Sequence, residues 1–291
     1  HARLALGGAG LAFVEATSVM PGGRITLGCT GIWDDPHIPG LAKIVDIYHQ
    51  YGCAVGIQIG HSGRRGSCAR PWDGAAPLKD DSPEAPWQTI GPSALREREG
   101  YPVPHEMLKS EIEELVEAFA QAAKRALKAG FDTIEVHGAH GYLLHSFFSP
   151  VSNQRTDEFG GDLERRMRVP LMVSEAVRKV WPDDRPVFYR VSAVDNVEGG
   201  IVIEDTVALA KELKAVGIDV MDCSSGGMGG PATLSEKKFG LGFQVPYADA
   251  VKQGADILTM AVGCIIDPEQ EEKILVEVKA DVIALPRELL S

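Results

Sequence analysis

No CxxC pair occurs in this 291-residue sequence, and its five cysteines (Cys29, Cys53, Cys68, Cys223 and Cys264) are scattered. An odd, unclustered set excludes a disulfide framework and predicts reduced thiols in a cytoplasm. Positive charge is scarce: 29 Lys and Arg stand against 41 Asp and Glu, a net charge of -12, which argues against nucleic acid or an anionic membrane as partner. There is no signal peptide and no apolar run long enough to cross a bilayer. The GxGxxG turn of a dinucleotide fold is missing, and so is HExxH. What remains is 44% hydrophobic and 24% charged, enough for a large core and too well balanced for disorder. The length suits an α/β barrel in one domain, 1–291. The chain begins at His1 rather than methionine, which hints at a missing N-terminal piece.

Seven short apolar runs stand out: "GLAFVEAT" (10–17), "AVGIQIGH" (54–61), "TIEVHGAH" (133–140), "PVFYRVSA" (186–193), "DVMDCSSG" (219–226), "DILTMAVG" (256–263) and "DVIALP" (281–286). Nearly continuous apolar runs read as strands covered on both faces, as in a parallel sheet. Helical patterns separate them, at about 40–51, 162–180, 203–216, 245–253 and 268–278, with a longer one from Ser110. There Ser110 and Glu113 have capping-box spacing, Ile112, Leu115, Val116, Phe119, Ala122, Ala123 and Ala126 form an apolar stripe, and Gly130 sits at the C-terminus. Repeated βα units predict a parallel sheet with right-handed crossovers. The absence of GxGxxG favours a closed barrel over an open doubly wound sheet. "HARLALGG" reads as the tail of a helix that follows a first strand, and "RELLS" as the first turn of an eighth helix. The expected fold is therefore α/β, a (β/α)8 TIM barrel lacking its first strand and most of its last helix. The connection 62–108, after the third strand in that count, exceeds ordinary βα loops and marks a functional segment, part of a lid.

Barrel active sites lie at the C-terminal ends of the strands. Those ends offer Glu15, Ala16 and Thr17, then Gln58, His61, Arg64 and Arg65, then His137, His140 and Tyr142. Further along come Arg190 and Ser192, then Ser224 and Ser225, then Gly263 and finally Pro286 and Arg287. One inward polar side chain is more often structural, but polar residues from six strands at one mouth point to a site. An HxxH spacing can bind zinc, yet no third ligand is recognisable and no acid lies within "HGAHGY", so no metal is expected. His145 reads as a loop residue without a chemical role. Gly263 and Arg287 follow the last two strands, where barrels bind phosphate groups. A phosphate-handling barrel of another kind stays open at this point.

"IQIGHSGRR" and "EVHGAHGYLLHSFFSPVSNQRTDEFGGDLERRMR" resemble the two signature regions of the Old Yellow Enzyme family, and "GAGLAFVEATSV", "FYRVSA", "DCSSGG", "GFQVPYADAVK" and "TMAVG" continue the likeness in order. The likeness covers essentially the whole chain, and the short loops point to the thermophilic-like, xenobiotic reductase-like branch. It implies an FMN-dependent ene-reductase on a (β/α)8 barrel. NADPH or NADH would be the reductant and an enone or other electron-poor alkene the substrate, in a ping-pong sequence. It implies flavin contacts for Ala16 and Gln58, with Arg190 at N1 and O2 of the isoalloxazine. Ser224 and Gln244 would lie near the ribityl or phosphate side, and Gly263 and Arg287 would hold the phosphate. His137 and His140 would hydrogen-bond the carbonyl oxygen, while hydride leaves flavin N5 for Cβ and Tyr142 protonates Cα. A homo-oligomer, dimer or tetramer, is implied as well.

The departures are specific. The family's first strand, with a flavin-tuning cysteine in this branch, has no counterpart here, and neither does its C-terminal tail. Pro286 stands where the family has glycine, and proline has no N–H for a phosphate. Arg165 replaces a usual asparagine. These departures motivate an alternative, a flavin-poor barrel that binds ligands or partners without catalysis.

Overall fold

The computed structural model describes residues 1–228 and 240–285. Strands and helices alternate: β1 (Leu11–Ser18), α1 (Ile38–Gln50), β2 (Ala54–Gly60), α2 (Lys109–Ala129), β3 (Thr133–Gly138), α3 (Leu163–Val180) and β4 (Val187–Ser192) come first. Then follow α4 (Ile203–Ala215), β5 (Val220–Ser224), α5 (Val245–Ala255), β6 (Leu258–Ala261), α6 (Pro268–Val276) and β7 (Val282–Ile283). All seven strands pair in parallel, each with its sequence neighbour, in a curled sheet of the (β/α)8 barrel type. β1 and β7 form its two edges among the described residues. A short helix, Ala2–Leu6, precedes β1, as the opening residues predict. "RELLS", Pro286 and Arg287 lie outside the described residues.

The helix from Ser110 shows how local chemistry sets a boundary. Glu111, not Glu113, makes the cap: its carboxylate accepts the Leu108 N–H at 2.6 Å, so the helix opens at Lys109. The stripe is as expected: Ile112, Leu115, Phe119, Ala122, Ala123 and Ala126 are fully buried, and Val116 packs at its margin. Gly130 ends the helix at φ +95°, where a side chain would be strained. At the opposite end of the barrel from the polar mouth, one device recurs three times. Asp132, Asp219 and Asp281, each just before an odd-numbered strand, accept the N–H of Val55, Val187 and Thr259 in the strand before it, at 2.8, 2.8 and 2.9 Å. These bonds tie adjacent strands together where the ladder would leave N–H groups unpaired.

Inside the curl, Phe188, Val220 and Met260 form an apolar plug with Leu11, Phe13, Val282 and Ala284. Phe13 meets Phe188 edge to face at 5.3 Å, and Gly56 makes room for it, since a Cβ there would lie 2.5 Å from the Phe13 ring. The plug closes the lower interior, so polar side chains higher on the strands face the mouth. The ladder between β1 and β2 slips between Val14 and Thr17, a bulge that brings Ala16 toward the mouth.

The 62–108 connection is not structureless. It holds two single-turn helices, Gly63–Arg65 and Pro71–Asp73, and a parallel ribbon of Ile90–Gly91 with His105–Glu106. Arg65 ties it to the mouth, donating to the carbonyls of His140 and Gly227 at 2.6 and 2.8 Å. Trp87 donates to Gly22 at 3.1 Å, and the Arg24 guanidinium lies near both Trp33 and Trp87 rings, 5.2 and 5.6 Å from their centroids.

Candidate active site

β3 carries Glu135 and His137 two residues apart on its inward face, and the chain leaves the strand through Ala139, His140, Gly141 and Tyr142. The His137 ring stands perpendicular to those of His140 and Tyr142, with centroids 5.2 and 5.0 Å away. His137 Nδ1 accepts the Ala139 N–H at 3.3 Å, which assigns the ring proton to Nε2. The His140 ring contacts Ser224 Oγ at 2.7 Å through Nε2. Burial drives the His137 pKa down to about 3, with the Arg190 charge adding to the shift. His140 is held well below its ordinary value by burial, then by His137 and Arg190. Both rings are therefore neutral near pH 7. Burial pushes the Tyr142 phenol up, opposed by Arg65, so it keeps its proton.

His140 adopts φ +61°, uncommon for a residue with a side chain. Three bonds hold it there: its N–H donates to Ser192 Oγ at 2.9 Å, its carbonyl accepts from Arg65, and its ring meets Ser224. Strain of about 1–3 kcal/mol persists only where surroundings over-determine the conformation, and it clusters at functional sites. Gly141 follows at φ +75°, and a Cβ there would lie 2.3 Å from the Gly227 carbonyl, so no larger residue fits.

His145 corrects an expectation. It lies in a helix, Leu143–Phe148, and both it and Asp195 have fully buried side chains. Its Nδ1 accepts the Gly141 N–H at 2.8 Å, and its Nε2 meets Asp195 Oδ1 at 2.8 Å. Asp195 Oδ2 also accepts from Ser149 Oγ at 2.6 Å and Ile201 N at 3.0 Å. Burial works to raise the Asp195 pKa, but these partners outweigh it and hold the carboxyl below its ordinary value. His145 thus anchors the turn that presents His140 and Tyr142. Asp195→Ala leaves three buried donors unpaired and should cost about 3–5 kcal/mol, the range for breaking a buried pair. Urea unfolding measures it; a loss under about 1 kcal/mol, a typical net hydrogen bond, would remove Asp195 from this role.

The other expected residues converge on the same mouth. A narrow cleft is lined by Ala16, Thr17, Arg24, Cys29, His61, His137 and Tyr142, among others. His140 does not line it and faces Ser224 instead. Gln58 Nε2 donates to Glu135 Oε1 at 2.7 Å. Arg190 Nη1 lies 3.2 Å from Asp222 Oδ2, its one ion pair among the described residues, and its Nε is buried without a partner. On the far side, Gln244 satisfies its neighbours best with Oε1 accepting from Ser225 N and Oγ, at 2.7 and 2.8 Å, and Nε2 donating to Val262 O at 3.3 Å. Gly263 takes φ +108°, and a Cβ there would meet Gln244 at 2.4 Å. Arg287 lies outside the described residues.

Glu135, Asp222, Asp195 and Cys29 were not singled out from the sequence. Glu135 and Asp222 left a signal there, as acids inside otherwise apolar strands, "TIEVHG" and "VMDCS". Among the described residues, no three His, Cys, Asp or Glu side chains are grouped to hold a metal ion, and no helix is long and apolar enough to cross a membrane.

A model of the NADH:flavin oxidoreductase / NADH oxidase family matches residues 2–291. An "NADPH dehydrogenase" of Geobacillus thermodenitrificans (strain NG80-2) is 43% identical over 286 residues, 98% of this chain and 77% of that protein. An "NADPH dehydrogenase" of Bacillus subtilis (strain 168) is 42% identical over 286 residues, 98% of this chain and 78% of that protein. Among solved structures, morphinone reductase superposes with a TM-score of 0.77 at 27% identity, covering 97% of this chain and 75% of that one.

Proposed function

The chain belongs to the NADH:flavin oxidoreductase / NADH oxidase family, as an FMN-dependent NAD(P)H oxidoreductase of the Old Yellow Enzyme type, and from that premise we propose that it reduces the C=C bond of α,β-unsaturated carbonyl compounds. NADPH is the proposed reductant, on the strength of the relatives' names.

The residues present suit FMN. Arg190 brings a guanidinium with an unpartnered Nε to the inner end of the mouth, matching the flavin edge that gains negative charge on reduction. Gln58 gives its amide N–H to Glu135, which leaves its carbonyl oxygen for a ring N–H. Gly263, where a Cβ would collide with Gln244, gives a backbone cradle on the phosphate side. Ala16, Gln58 and Arg190 would hold the ring system, and Ser224, Gln244 and Gly263 the ribityl and phosphate side. Arg287 would reinforce the phosphate. Bound FMN supplies the two-electron chemistry between nicotinamide and acceptor.

The chain's own residues handle the oxygen and the proton. His137 offers Nε2–H toward the cleft as a neutral donor. His140 stands beside it on the same turn, its Nε2 engaged with Ser224 Oγ at 2.7 Å, and its ring is the proposed second donor to the same oxygen. As negative charge gathers on the substrate carbonyl, these two neutral imidazoles stabilise it. Tyr142 holds a proton at Oη and delivers it to Cα. One observation carries this reading: two neutral imidazoles and a protonated phenol meet on one strained, over-determined turn.

The test is spectroscopic. Protein saturated with FMN should be bleached by NADPH without oxygen, and cyclohexenone should restore the colour. Bleaching without recovery on enone addition would rule out ene-reduction while leaving the oxidoreductase assignment intact.

A further inference from the structure

Four inward side chains from four adjacent strands meet beneath the mouth, Gln58 paired in register with Glu135 and Arg190 with Asp222. Glu135 is 2% exposed and Asp222 is fully buried. The group holds two acids and one cation. Gln58 serves Glu135 Oε1, and Arg190 sits 3.2 Å from Asp222 Oδ2. Among the described residues, none donates a hydrogen bond to Glu135 Oε2 or to either Asp222 oxygen. With both acids ionised, the group would carry an uncompensated negative charge and three bare oxygens. A buried polar group without a partner costs about 1–3 kcal/mol, and an isolated buried charge far more. One proton relieves both problems, because it neutralises the surplus charge and turns one carboxyl into an O–H donor for the other.

We propose that Glu135 keeps this proton at neutral pH and donates it toward Asp222, so that the floor of the flavin site is a neutral acid beside an Arg190–Asp222 ion pair. Glu135 is then a positioning residue. It orients the Gln58 amide through Oε1, and through its proton it sets the charge that Arg190 offers to the flavin. The flavin part rests on the FMN assignment above; the proton does not.

The surroundings agree on where the proton resides. Burial and then the Asp222 charge push the Glu135 pKa up to about 8, with Arg190 and Gln58 pulling the other way. Asp222 is raised too, because burial outweighs the pull of Arg190 and of the Glu135 hydrogen bond, but it is the acid paired with Arg190 and so the one that keeps the charge. Arg190 is lowered by burial and raised more by Asp222 and Glu135, so it stays charged. His137, next inward on β3, is neutral. Ionising Glu135 would add a negative charge beneath the flavin and make reduction harder.

Infrared difference spectroscopy of the FMN-loaded protein gives the direct test. The C=O stretch of a protonated, buried carboxylic acid should be present at neutral pH, be absent in Glu135→Gln, and fade as pH rises through about 8. Asp222→Asn should abolish the band too, because Glu135 then becomes the lone carboxylate beside Arg190 and ionises; a merely structural role predicts no such loss. The flavin midpoint potential should fall more steeply with pH in the native protein than in Glu135→Gln. Stability follows with a definite sign. A carboxyl raised in the folded state contributes stability below its unfolded value, 4.5, and that contribution is lost as pH rises through about 8. A band that persists in both variants, or is missing from the native protein, overturns the proposal. If the protein takes up no FMN, the FMN assignment fails, and the band still decides the proton in the protein alone.

Discussion

Tyr142→Phe should slow enone reduction by about 10²–10⁴-fold, the usual contribution of a positioned general acid, and leave bleaching of the flavin by NADPH largely unchanged. The substitution keeps the ring that stands 5.0 Å from His137 and removes only the hydroxyl. Packing and substrate access are therefore preserved, and the loss isolates one proton. That proton is needed only after charge has reached the alkene, so only the second half-reaction suffers. Burial has pushed the phenol pKa up, and Arg65 only partly offsets this. The donor is consequently protonated across the neutral range, and the enone step of the native enzyme should stay level there, falling only once the phenol ionises in strong alkali. Rapid mixing of each half-reaction separates the cases. Equal slowing of both would mean that Tyr142 shapes the pocket rather than donating.

The periodic parts of the fold were legible because their cause is local. Each strand run is apolar on both faces, and each helix shows its stripe, so β1 to β7 and α1 to α6 fall within a few residues of their expected places. The helix at Ser110 was misjudged by its cap alone. The spacing points to Ser110 and Glu113, and only the backbone path shows that Glu111 reaches Leu108. His145 was misread for a different reason. "LLHSFF" is apolar on every side, so it shows no amphipathic stripe, and the partner that fixes its histidine, Asp195, lies fifty residues away. Nothing in the local sequence announces that pair. The site itself was legible to the extent that β3 writes it consecutively: His137, His140 and Tyr142 are placed by one turn. The group beneath them comes from four strands, and only the pairing of those strands sets Gln58 beside Glu135 and Arg190 beside Asp222.

That group makes Arg190 the residue whose loss should be felt most widely. Arg190→Leu removes the one cation beside two buried acids and leaves Asp222 without its ion pair. Removing one partner of a buried pair costs about 3–5 kcal/mol, and unfolding in urea near neutral pH should show a loss in that range. The loss should shrink in acid. With Arg190 gone, Asp222 binds its proton more tightly in the folded than in the unfolded chain, so the deficit is smallest at low pH and grows as pH rises. FMN affinity should drop as well, by about 10- to 150-fold for a lost charged hydrogen bond of about 1.5–3 kcal/mol. Arg190→Lys separates the two effects. An ammonium restores the charge beside Asp222 and with it most of the stability, but it lacks the planar fork that can serve a carboxylate and a flavin edge together, so FMN should remain weakly held. Flavin fluorescence titration of both variants provides the readout. Native-like FMN affinity in Arg190→Leu would remove Arg190 from the flavin site and leave it a purely structural counter-ion to Asp222.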